Sequence, residues 1–340
     1  MRPRGSVLSA IAGVAVLVLL AGCSSDTDGK DLPTRPPATA AVSSDATAAP
    51  ADQVLPVATP ITDLLVVTGT GLLAALDNSA TALLLIDPAT TPPVVRTVAL
   101  PAKATALASG QAGEVLVALP NQVLRVDAAA STSTAVTVDG DVHAVQERGD
   151  GALVVGTAEG KVRVLSPAGE VLDTVSGLAS ADALALTGDR VSVLDRRQTS
   201  LTELDLRKDQ LGLALRAGDG ATNLITDHFG RIIVTDTAGN ELLVYTAGPL
   251  VLRQRFPVGS SPYALAYDPR SETVWVTCTQ TNEVVGFDLS TGIPKEVGRF
   301  PTVRQPNSVA IDERTGDLFV GSATGNGLQR IRADQRKGGQ

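Results

Sequence analysis

From about residue 60 onward one pattern returns at intervals of about 40 residues, and that period limits the chain to very few folds. The clearest copies are SPYALAYDPRSETVWVTCTQTNEVVGFDLSTG from Ser261, QPNSVAIDERTGDLFVGSATGNGLQRI from Gln305 and GATNLITDHFGRIIVTDTAGNELLVYTAG from Gly220. Weaker copies start at Thr62, Lys103, Asp141 and Ala181. Each copy reads as an alternating strand, a Gly/Asp turn, an apolar strand, a polar turn and a third strand. A fourth strand follows, as in Val94–Val98 or Leu252–Phe256. Four short strands per 40-residue unit is the pattern of a β-propeller blade. A β-sandwich lacks this period, and solenoid coils are shorter. Seven copies predict an all-β, seven-bladed β-propeller of four-stranded blades.

The last copy shows three strands and then dissolves into Arg332–Gly339. A sheet left there would expose an edge, which proteins avoid. Gln53–Pro60 precedes the first copy as Arg255–Pro262 precedes the sixth. Residues 52–57 are therefore expected as the outer strand of the last blade, an N-terminal strand that closes the ring. The propeller should span residues 52–334, with 335–340 as a flexible tail.

The front of the chain has a different character. Arg2 and Arg4 precede an apolar run from Val7 to Leu20, followed by Leu20-Ala21-Gly22-Cys23 and the polar Ser24-Ser25-Asp26. The run is too short and wrongly flanked for a membrane span, and reads as a cleaved secretory segment over residues 1–22. Those residues resemble a bacterial lipoprotein signal. The resemblance implies lipidation of Cys23 on its thiol and a place at the cell membrane, facing the extracytoplasmic side. Residues 23–51 are rich in Ser, Thr, Pro and Ala without hydrophobic period, so a disordered tether is expected. It should leave the propeller at its rim and keep the channel face free.

Composition narrows the partners. The formal net charge is −8, and loss of Arg2 and Arg4 would lower it by 2 more. An acidic chain without clustered Lys and Arg argues against nucleic acid, which needs phosphate neutralisation. The second cysteine, Cys278, has no disulfide partner if Cys23 carries lipid. Apolar content comes from Ala, Val and Leu, with only 3% aromatic residues, which suits stacked sheets more than an aromatic cleft.

Val274-Trp275-Val276-Thr277-Cys278 followed by Asn282-Glu283-Val284-Val285 resembles the YVTN type of propeller repeat. Ile232-Ile233-Val234-Thr235-Asp236 with Gly239-Asn240-Glu241 is similar to the related NHL repeat. The resemblance implies the fold and hardly any function, because propellers serve enzymes, scaffolds and adhesins alike.

Aligning the copies on their first turn puts one residue each at the start of the innermost strand, where a propeller channel opens. The set is Asp63, Thr105, His143, Asp182, Thr222, Tyr263 and Asn307, all candidates for ligand binding at the channel mouth. His143 is of most interest because it titrates near neutral pH. A binding or scaffold role in the cell envelope follows, with a protein, glycan or small ligand as partner, the membrane reached through Cys23, and a monomer expected. No cofactor is required. The alternative is a metal-dependent hydrolase similar to lactonase propellers, in which Asp63, Asp182, Asn223 and Asn307 would offer oxygens to calcium. Asp227-His228 reads as a turn pair on the opposite face, and Cys278 as a buried small side chain. Arg196-Arg197 and Arg332–Lys337 read as solvated basic runs.

Overall fold

The computed structural model describes residues 32–45 and 48–336, so the leader and Cys23 lie outside the described residues. The all-β propeller expected from the repeat is what the described residues form. The expected count of seven separate four-stranded blades is not. There are six sheets, and so six blades by hydrogen-bond connectivity: five of four strands and one of six.

The six-stranded sheet takes in both copies that begin at Lys103 and Asp141. Its strand Glu114–Asp127 folds back at Pro120-Asn121, where Asn121 has φ 61°, so that the Ala128 amide donates to the Gly113 carbonyl at 2.9 Å. The next stretch, Thr132–Glu147, then runs from the outer edge of one copy into the inner strand of the following copy without a break. Only Asp139-Gly140 lies where the other connections carry several irregular residues, and Pro120 pairs directly with Asp141. Hydrogen bonding therefore continues where the sequence period predicts a gap.

The first sheet is Ile61–Val66, Leu73–Asp77, Ala82–Asp87 and Val94–Ala99. The third, fourth and fifth sheets span Ala183–Arg216, Ala221–Pro257 and Pro262–Pro301. Their middle strands are buried almost throughout, because both faces of each sheet are covered by neighbouring sheets. All six residues of Thr273–Cys278 are buried, as are all six of Asp317–Ser322. Outer strands meet water and alternate instead, as Val94–Ala99 does.

The last sheet holds Pro306–Asp312, Asp317–Ser322 and Leu328–Ile331, and its fourth strand is Gln53–Leu55, paired antiparallel with Gln53 opposite Arg330 and Leu55 opposite Leu328. Side chains secure the closure. Asp52 accepts from both the backbone and the guanidinium of Arg332, and the Gln329 amide donates to the Ala51 carbonyl at 2.8 Å. Leu55, Val57 and Ile61 pack with Phe319 and Leu328 in one buried cluster, which joins the two ends of the chain.

Two segments depart from expectation. Arg336, assigned to a flexible tail, lies over the Trp275 ring at 5.0 Å and pairs with the buried Asp268 at 3.1 Å. Residues 32–45, expected to be disordered, are hydrogen-bonded to the propeller. Pro33, Pro36 and Pro37 disfavour helix and a paired strand there, and the irregular backbone leaves N–H and C=O groups free for the loops beneath.

Candidate ligand site at the channel mouth

Inner strands begin with a β-bulge in several sheets: the register slips between Ile61 and Asp63, Val142 and Ala144, Ala221 and Asn223, and Pro306 and Ser308. The bulge re-aims the side chain at it or directly after it, and Asp63, His143, Asn223 and Asn307 at these positions all line the same cavity. Six of the seven aligned residues, Asp63, Thr105, His143, Asp182, Tyr263 and Asn307, line one cavity of about 640 Å³. Thr222 does not. It is buried, with its hydroxyl bonded among those of Thr235 and Thr237, and Asn223 takes its place in the cavity wall. By register Thr222 is the bulged residue, as His143 and Asn307 are, whereas Asp63 and Asn223 each follow the bulge, so the aligned set does not keep one register from sheet to sheet.

Arg196 also lines the cavity, although its basic dipeptide reads as solvated surface in the sequence. Its side chain donates to the Thr222 carbonyl and to Asn223 Oδ1, the latter at 3.2 Å. The only available signal was its place directly after Asp195, at the end of a buried strand.

The strongest polar arrangement joins two sheets. His143 Nδ1 donates to Asp182 Oδ1 at 2.9 Å, and Asp182 also accepts from the Ser180 hydroxyl and from the Arg196 amide at 2.8 Å. The bond to Asp182 raises the His143 pKa against the opposing effect of burial, helped by the charges of Asp182 and Asp141. Burial pulls Asp182 upward, but the bonds from His143, Ser180 and the Arg196 amide together hold it below the usual carboxylate range. Asp63 is the opposite case. Burial raises its pKa, outweighing the Leu107 and Leu64 amides that donate to it at 2.9 and 2.8 Å.

These bonds bear on the calcium alternative. Both Asp63 oxygens accept from backbone amides, Asp182 has three donors, and Asn307 Oδ1 accepts from Gln305. Asn223 faces the Arg196 guanidinium. A divalent ion needs several free oxygens, and here they are spent beside a fixed positive charge. Among the described residues no group of three or more His, Cys, Asp or Glu is placed to hold a metal ion.

Elsewhere the expected minor roles hold in position. Asp227 closes a turn by accepting from the Phe229 and Arg231 amides, with His228 exposed beside Tyr267. Cys278 is fully buried, and burial pushes its thiol up to about 12.

No protein-family model matches the sequence, and neither does any curated protein sequence. Solved structures do match. A virginiamycin B lyase from Staphylococcus aureus, a catalytically inactive variant with quinupristin, superposes with TM-score 0.67 at 14% identity, covering 82% of this chain and 98% of that one. The WD40 β-propeller domain of Doa1 gives 0.68 at 13% identity, covering 85% and 98%. A chain of the mitotic checkpoint complex gives 0.71 at 13% identity, covering 95% and 99%. This chain is a β-propeller. The likeness is one of fold, since one architecture here spans a lyase and a WD40 domain.

Proposed function

We propose that this chain is a lipid-anchored binding propeller of the cell envelope, held at the extracytoplasmic side of the membrane through Cys23, with its ligand or partner taken at the channel mouth. The observation that supports the binding role is convergence. Residues from every sheet, among them Asp63, His143, Asp182, Arg196, Asn223 and Asn307, meet around one cavity. Both signs of charge are present, so the mouth suits a polar, hydrogen-bonding partner rather than an apolar one. The anchor rests on Leu20–Cys23 alone, and the closeness to YVTN or NHL repeats on the sequence copies.

The test captures partners from native membranes by cross-linking. The parent chain should retain a partner that the Asp182→Asn and Arg196→Ala variants lose while still melting cooperatively. Equal capture by all three would overturn the assignment of the mouth.

A further inference from the structure

Residues 32–45 follow the same face of the propeller that carries the mouth. At one end the Arg35 amide donates to the Arg197 carbonyl at 2.9 Å and its guanidinium to the Asp219 carbonyl at 2.6 Å. Pro37 lines the mouth cavity itself. Further on, the Ala41 amide donates to Ser261 Oγ at 2.9 Å, and the Ser44 amide to the Gln280 carbonyl at 3.2 Å. The segment thus passes the loops of the third, fourth and fifth sheets and reaches Gln305, at the start of the last.

Gln305 is the clip. Its side-chain oxygen accepts from the Ser43 amide at 2.9 Å, while its side-chain nitrogen donates to the Ala41 carbonyl at 2.9 Å, much as a neighbouring strand would. The Ser43 hydroxyl is buried, donating to the Thr279 carbonyl at 2.6 Å and accepting from the Gln305 amide at 3.0 Å. Asn282 Nδ2 donates to the Ser44 carbonyl at 3.0 Å. Val42 points outward at 81% exposure. Between Arg35, which reaches the Asp219 carbonyl, and Asp45, which lies 3.8 Å from the Arg304 guanidinium, the loops read an extended backbone and the hydroxyls of Ser43 and Ser44.

No residue of this strap belongs to a hydrophobic cluster of the propeller. Its hold is made of hydrogen bonds and one exposed ion pair, Asp45 with Arg304, which water can replace at small net change, so it can detach without unfolding a sheet.

We infer that the loop groups from Arg197 to Gln305 form a docking track for an extended segment whose central residues are small and uncharged, and that residues 32–45 are its resident, displaceable occupant. A partner bearing such a Ser/Ala/Pro-type segment binds this face by taking the strap's place. The inference deepens the proposal that the mouth face is the binding face.

Hydrogen exchange by mass spectrometry on the full chain tests it first. The amides of Ala41, Ser43 and Ser44 should exchange at least about ten-fold more slowly than in a free peptide of residues 32–45. A chain with Ala41→Pro and Ser43→Ala, both outside the sheets, should lose that protection and keep its melting temperature. A labelled peptide of residues 32–45 should then bind this variant at least about ten-fold more tightly than the parent, whose own strap competes at high effective concentration. Unprotected strap amides in the parent overturn the inference. So does peptide binding that is absent from the variant, or equal in both chains. If the peptide behaves as expected and no envelope partner is captured, the proposed function fails while the track stands.

Discussion

His143 and Asp182 link the six-stranded sheet to the third at the mouth, and their coupling makes stability depend on pH. The folded pKa of His143 lies above its usual 6.5, chiefly through its bond to Asp182, so protonated His143 stabilises the fold. That contribution is complete below pH 6.5 and fades as the pH rises through the raised value. Asp182, held below 3.8, contributes above that pH and is lost as the pH falls through its lowered value. Melting temperature should therefore decline as the pH rises from 6.5 through the raised value, and His143→Gln should flatten that part of the profile; an identical slope in the variant would remove the pair from the account. His143→Ala should cost about 1–3 kcal/mol, since Asp182 loses one of its donors. Cys278 gives a second check at this scale. In a Cys23→Ala chain it is the only thiol, and with burial pushing it up to about 12 it should react with a thiol reagent only on unfolding.

At the scale of elements, the turns that join sheet to sheet depend on carboxylates ending buried strands. Asp195 accepts from the Ala179, Ser180 and Gln198 amides, and Asp236 from the Asp219, Gly220 and Gly239 amides. Each draws the incoming connection onto the next sheet. Asp236→Ala would strand three donors at a fully buried position and should lower stability by about 2–4 kcal/mol in denaturant melts. The closing strand is the other sensitive element. Deleting residues 50–58 opens the last sheet to solvent, and Leu55→Ala alone should cost about 2–5 kcal/mol by leaving a cavity beside Phe319 and Leu328. An unchanged melt on deletion would show that the ring closes without this strand.

Across the whole molecule, under the proposed anchoring at Cys23, the strap would set how the mouth is presented. With residues 32–45 docked, only the stretch from Cys23 to residue 32 spans to the lipid, a reach of at most about 30 Å. Release of the strap adds the rest of the tether and roughly triples that reach. Under the proposed anchoring, Cys23→Ala should move the protein from the membrane to the soluble fraction with its melting temperature unchanged. Added calcium or a chelator should leave the melt of the parent, Asp182→Ala and Asn307→Ala chains unshifted, since the mouth oxygens are already bonded; a calcium-dependent rise in the parent would reopen a metal site. The repeat made the propeller and its closure legible, because strand periodicity and a three-stranded last copy are properties of local order along the chain. The ring of mouth residues was legible too, except where a one-residue bulge put Asn223 ahead of Thr222. Three features were decided only by the tertiary structure. Hydrogen bonding runs on through Asp139-Gly140 and joins two copies in one sheet, Arg196 turns inward to meet Asn223, and a segment without any hydrophobic pattern is laid along the mouth. Each depends on which groups other parts of the chain present to it, and a local pattern carries no record of that.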